Sequence, residues 1–93
     1  MTDTQLLVGS LSSDLFRVAS LTQRGSTKAA SRFLLEAKRW SEPLQKLNIA
    51  PYILNIAQDI SSRDVADISM ETAEKYLMYG VLLQNYALGQ IAE

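Results

Sequence analysis

Apolar residues recur at spacings of three and four along nearly all of this chain, and its 93 residues include only two prolines and four glycines to interrupt them. That is the period of an amphipathic helix. No segment shows the strict alternation of a half-buried strand, and no internal repeat is present. Helices with one apolar stripe must bury it against one another, and a chain of this length supports a single core. The expected fold is all-α, a small antiparallel bundle of four to five helices forming one domain over residues 1–93.

The first helix is expected from about Thr4 to Gln23, with Leu7, Val8, Leu11, Leu15, Val18 and Ala19 inward and Thr2, Asp3 or Thr4 as its cap. Gly9 inside it weakens it by about 1 kcal/mol relative to alanine. Gly25-Ser26-Thr27 reads as a tight hairpin. A second helix follows, with Ala29, Ala30, Phe33, Ala37, Trp40 and Leu44 as its stripe. Pro43 predicts a kink or a restart near Ser41. Asn48-Ile49-Ala50-Pro51 reads as a helix entrance, and Tyr52, Ile53, Leu54, Ile56, Ala57 and Ile60 then follow with no charge before Asp59. Being apolar on nearly every side, this third helix is expected at the centre of the bundle. Residues 61–64 form a polar connection, and Asp67 or Ser69 caps a last helix reaching about Ile91. There Ala73, Tyr76, Leu77, Gly80, Ala87, Leu88 and Ile91 supply the buried face. Met78, Tyr79, Leu82, Leu83 and Tyr86 form a second apolar stripe, of the kind that docks against another chain.

Charge is distributed unevenly. Arg17, Arg24, Lys28, Arg32, Lys38, Arg39 and Lys46 share one window with only Glu36 and Glu42, whereas the chain as a whole carries −1. At about 100° per residue, Lys28, Arg32 and Arg39 fall in one narrow strip opposite the apolar stripe, and the hairpin brings Arg17 and Arg24 to the same end. With Ser26 and Thr27 this is the set of groups that contacts phosphate. A bare solvated helix surface would look the same, except that Lys28 and Arg32 are like charges at i,i+4 and mildly oppose the helix.

Absences narrow the chemistry. The chain contains neither cysteine nor histidine, which removes the thiolate nucleophile, the commonest general base and the usual zinc ligands. Glycine-rich phosphate loops and recognisable catalytic sets are missing too. The expectation is a protein that is not an enzyme and uses no cofactor. Asp64, Asp67 and Glu71 at i, i+3, i+7 supply too few oxygens for a cation site and read as a solvated helix start. Tyr76, Tyr79 and Tyr86 read as core or interface rather than base-stacking residues. With no long apolar run and no basic leader, no membrane association and a cytoplasmic location are expected.

In size, in helical pattern and in the stretch from Leu15-Phe16-Arg17 through Ser31-Arg32-Phe33-Leu34 to Lys38-Arg39-Trp40, the chain resembles small subunits of type I CRISPR surveillance (Cascade) complexes. It is similar as well to the C-terminal helical part of their large subunits. The resemblance implies a non-catalytic subunit whose copies stack head to tail along a basic groove. They would steady the guide–target duplex and the displaced strand through phosphates, while guide pairing reads sequence. It implies partners that are DNA or RNA, other effector subunits and copies of itself. Arg17, Arg24, Lys28, Arg32 and Arg39 become phosphate contacts, and Met78, Tyr79, Leu82, Leu83 and Tyr86 pack against neighbours. The alternative reading is a helical adaptor or homo-oligomerising module whose basic strip meets an acidic protein.

Overall fold

Thr2 opens the first helix through a reciprocal cap, in which the Gln5 N–H donates to Thr2 Oγ1 (3.1 Å) and the Thr2 N–H donates to Gln5 Oε1 (2.8 Å). The computed structural model describes the backbone of residues 2–92 and the side chains of residues 2–89, so the side chain of Ile91 lies outside the described residues. Four helices make up the fold: α1 Asp3–Gln23, α2 Thr27–Leu44, α3 Pro51–Ser62 and α4 Met70–Ala92. The expected all-α bundle is what forms.

Gly25 stops α1 as expected. Its φ of 79° is left-handed, the Ser26 N–H donates to the Leu21 carbonyl and the Gly25 N–H to the Thr22 carbonyl (2.8 and 3.0 Å). This is the Schellman arrangement, and it turns the chain straight into α2. Ser26 flanks α2 but its side chain makes no capping bond. Pro43 does not restart the helix: α2 runs through it and ends one residue later at Leu44. With the helix already closing, little is left for the missing N–H to disrupt. Ser41 is therefore not a cap; it is fully buried and donates to the Ala37 carbonyl at 2.9 Å.

The central helix is α1, not α3. It packs extensively on both α2 and α4, whereas α3 lies mainly on α2 and touches α4 lightly. In α3 only Ile53, Ile56, Ala57 and Ile60 are buried, and Pro51, Tyr52, Asn55 and Gln58 remain exposed. What centres α1 is a second inward row of small and polar residues, Gln5, Ser12 and Ala19, beside its apolar stripe. Ser12 Oγ donates to the Gly80 carbonyl of α4 at 2.7 Å. A Cβ placed on Gly80 would come within 2.9 Å of the Phe16 ring. Small residues at the crossing let the two helices approach closely, and α4 supplies its own row in Ala73, Gly80 and Ala87.

That seam fixes which face of α4 is inside. Ala73, Tyr76, Gly80, Leu83 and Ala87 are buried, while Leu77 and Leu88, expected inside, are exposed. Leu83, expected on the outer stripe, is 0% exposed and is core. Ala73, Tyr76, Gly80 and Ala87 are inside as expected, and the buried face is turned by only about 40° from the expected one, toward Leu83 and away from Leu77 and Leu88.

The connection between α3 and α4 is held by one guanidinium. Arg63 donates to both carboxylate oxygens of Asp59 (3.0 and 3.1 Å) and to Asp67 Oδ2 (2.8 Å). It also lies 5.2 Å from the centre of the Tyr76 ring, while the Tyr76 hydroxyl donates to the Asp67 carbonyl at 3.0 Å. Asp67 is thus part of this knot rather than a helix cap; Ser69 caps α4, accepting from the Thr72 N–H at 3.1 Å. Tyr79 donates to Asp59 as well. Burial alone would raise the Asp59 carboxyl, but the Arg63 and Tyr79 hydrogen bonds and the charges of Arg63 and Lys75 outweigh it and hold it below the usual range.

Gly9→Ala adds a Cβ into open space on a helix interior and should stabilise the protein by about 1 kcal/mol. Gly80→Ala should destabilise it by about 1–3 kcal/mol because Phe16 must move; chemical denaturation of both variants checks the pair. Arg63→Ala should cost about 3 kcal/mol by stranding Asp59 and Asp67. Arg63→Lys should recover less than half of that loss, since an ammonium cannot reproduce the bidentate contact.

Candidate nucleic-acid interface

α2 presents its outward face along the length of the bundle, and Lys28, Arg32 and Arg39 lie exposed on it. Eleven residues separate the first from the last, so the row extends about 16 Å along the helix axis. Leu35 shares the strip and is also exposed. Arg24, at the end of α1, stands beside the start of α2 and is exposed too. Among the described residues, none of Arg24, Lys28, Arg32 and Arg39 forms an ion pair; the pairs present involve Arg17, Arg63 and Lys75. The start of α2 has no side-chain cap, so its first-turn N–H groups add partial positive charge at the end where Arg24 and Lys28 stand.

Arg17 differs from the other four. Its guanidinium lies 5.3 Å from the centre of the Phe33 ring and 3.8 Å from Asp14 Oδ1. Although it is exposed, its field is partly cancelled by Asp14 and by Glu36 close by. Lys38 is half-buried and turned away from the row: its ammonium donates to the Arg63 carbonyl at the end of α3, where a cation complements the helix dipole.

Asp14 is a feature that periodicity did not reveal. It is 2% exposed, and its carboxyl is raised to about 6, chiefly by burial and next by the charge of Glu36 on α2. Arg17 and the Trp40 indole pull in the opposite direction but do not prevail. Trp40, expected in the core, is half-buried, with its indole N–H beside the Asp14 carboxyl. These residues border a surface cleft of about 380 Å³ between α1 and α2. A single carboxylate at a helical position facing a partner helix is the only trace of this in the sequence.

The expected protein-facing stripe on α4 is redistributed. Met78 and Leu82 are exposed as expected, Tyr79 and Tyr86 are half-buried, and Leu83 is removed from the surface. Tyr86 instead packs edge-on against Tyr52 of α3 at 6.1 Å between ring centres. Leu77, Val81 and Leu88 take their places, so an exposed apolar strip persists with a changed membership. Among the described residues no cluster of three acidic side chains could hold a metal ion, and no helix is long and apolar enough to cross a membrane.

No family model matches the chain, and neither a characterised protein nor a solved structure shows significant similarity to it.

The raised Asp14 carboxyl has a definite thermodynamic sign. Between about pH 4 and 6 the folded protein holds a proton that the unfolded chain has released, so stability falls as pH rises through that window and stays reduced above it. Asp14→Asn should remove that slope and stabilise the protein at pH 7.5 by about 1–3 kcal/mol. Denaturation midpoints of both proteins measured from pH 4 to 8 test this.

Proposed function

We propose that the protein is a non-catalytic helical subunit that holds the backbone of DNA or RNA without reading its sequence, as the small subunits of CRISPR surveillance complexes that it resembles would do. One observation carries the reading. Arg24, Lys28, Arg32 and Arg39 are exposed and have no ion-pair partner among the described residues, and the last three share the outward strip of α2. Unpaired cations on one face repel one another in the free protein, and a polyanion relieves that repulsion while releasing its counterions. The row is long enough to follow several phosphates of a strand that rises about 3.4 Å per nucleotide. Nothing on the strip forms a recognition element for base edges, so backbone contact is the mode it supports. Arg17 contributes least, because Asp14 and Glu36 already draw on its charge.

Four cations on a chain of net charge −1 give weak binding singly, and several copies along one strand would bind far more tightly. The exposed α4 strip of Leu77, Met78, Val81, Leu82 and Leu88 supports assembly with another protein. It equally favours the second reading, an interaction module whose basic row meets an acidic protein.

Fluorescence anisotropy with single-stranded and duplex oligonucleotides of scrambled sequence separates the two. Affinity should be nearly independent of sequence. Arg32→Glu with Arg39→Glu should weaken binding by at least about tenfold and reduce the salt slope by about two, whereas Arg17→Gln should change it less. Binding that the double reversal leaves unchanged would remove the nucleic-acid reading and leave the adaptor.

A further inference from the structure

Among the described residues nine large apolar side chains are exposed, and five of them, Leu77, Met78, Val81, Leu82 and Leu88, lie on α4. At about 100° per residue these five occupy one sector about 140° wide, turned away from the buried Tyr76, Leu83 and Ala87. Met78, Val81, Asn85 and Leu88 run down its middle at spacings of three, four and three. That is the seam along which two helices pack in a coiled coil. Exposed leucines scattered singly are ordinary on a protein surface. Five on one sector of one helix form a contact surface.

The chemistry of the strip selects its partner. From Tyr76 to Ala92 the chain has no charged residue, so the strip offers an acidic or a basic protein no ion pair. Asn85 within it and Gln84 at its edge are exposed, and an amide both donates and accepts, so it complements its own copy. A neutral apolar strip edged by amides therefore fits a strip of the same kind. The first turns of α4 set the direction. Glu74 and Glu71 continue the seam at spacings of four and three, and parallel helices would bring each glutamate against its own copy, like charge against like. Antiparallel helices place the two acidic ends far apart.

We propose that two copies of this chain pair through α4, antiparallel, about a two-fold axis centred between Val81 and Asn85. Met78 then meets Leu88 of the other copy and Val81 meets Asn85. Leu82 faces Leu82 on one side of the seam, and Gln84 faces Gln84 on the other. Leu77 reaches a notch of about 260 Å³ between α1 and α4 of the other copy, bordered by Gly9, Ser13, Phe16, Gln84 and Leu88. A face that meets itself closes the assembly at two. Among the described residues α2 and α4 do not touch, so this pair leaves both basic rows uncovered. The inference goes beyond nucleic-acid binding and does not depend on it.

Sedimentation velocity of the full chain, without nucleic acid, from about 5 to about 500 µM is the test. Monomer and dimer should exchange with a dissociation constant of about 10–100 µM, because the strip buries less than the about 800 Å² per partner of a standard interface. Met78→Glu should stay monomeric throughout, and Asn85→Leu should tighten the dimer at least about tenfold by removing the polar layer. Leu35→Gln, exposed on α2, should change nothing. The chain has no cysteine, so introduced cysteines report the direction of pairing. Val81→Cys and Asn85→Cys proteins should form a disulfide readily when mixed and poorly when alone. Leu88→Cys alone should cross-link readily only between parallel helices. A chain monomeric at about 500 µM, a series that grows beyond two, a dimer that Met78→Glu leaves intact, or ready cross-linking of Leu88→Cys alone would overturn the proposal. None of these outcomes bears on the basic row, which the oligonucleotide titration decides.

Discussion

The close approach of α1 and α4 is the constraint on which the rest of the bundle depends. Ser12 reaches the backbone of Gly80 across 68 positions of sequence, and a single added carbon at Gly80 would collide with Phe16. With α4 seated there, α1 is covered on one side by α4 and on the other by α2, and α3 takes the remaining place against α2. The outward face of α2 is a consequence of this order. Because α2 buries only Ala30, Leu34, Ala37, Ser41 and Leu44, its opposite side is free to carry the basic row.

Two kinds of ionic arrangement divide the surface. Around Arg63 the charges are mutually satisfied and hold the α3–α4 connection in place; a half-buried guanidinium with three carboxylate contacts is structural. On α2 the charges are not satisfied, and between these extremes lies the corner of Asp14, Glu36 and Arg17. There two carboxyl groups and one guanidinium sit together without pairing well. Unpaired surface cations and a badly solvated carboxyl each raise the free energy of the isolated protein.

Local signals in the sequence were sufficient for the helices, for the turn at Gly25 and for the outward direction of Lys28, Arg32 and Arg39, since each depends on spacing within a few residues. Which helix stands in the middle was not legible in the same way. Periodicity weighs apolar bulk, so it favoured α3 with its uncharged run and passed over the serine, alanine and glutamine row that lets α1 take two partners. On α4 the small residues Ala73, Gly80 and Ala87 were placed correctly, and only the flanking leucines were exchanged, Leu77 and Leu88 for Leu83. The Arg63 knot and the burial of Asp14 depend on which residues meet across helices, information that no single helix carries.

The chemistry of the α1 seam bears on how the chain reaches its fold during synthesis. α1, α2 and α3 are made before α4, so α1 must wait with one flank uncovered, and a waiting helix with a greasy flank invites aggregation. The waiting flank here mixes Gln5 and Ser12, which water solvates well, with Ala19 and the Phe16 ring. Most of the apolar stripe of α1 can meanwhile be sheltered by α2, which follows it immediately through the Gly25 turn. A nascent chain built in this order covers part of its apolar stripe early and leaves for last a seam in which glutamine and serine dilute the apolar groups.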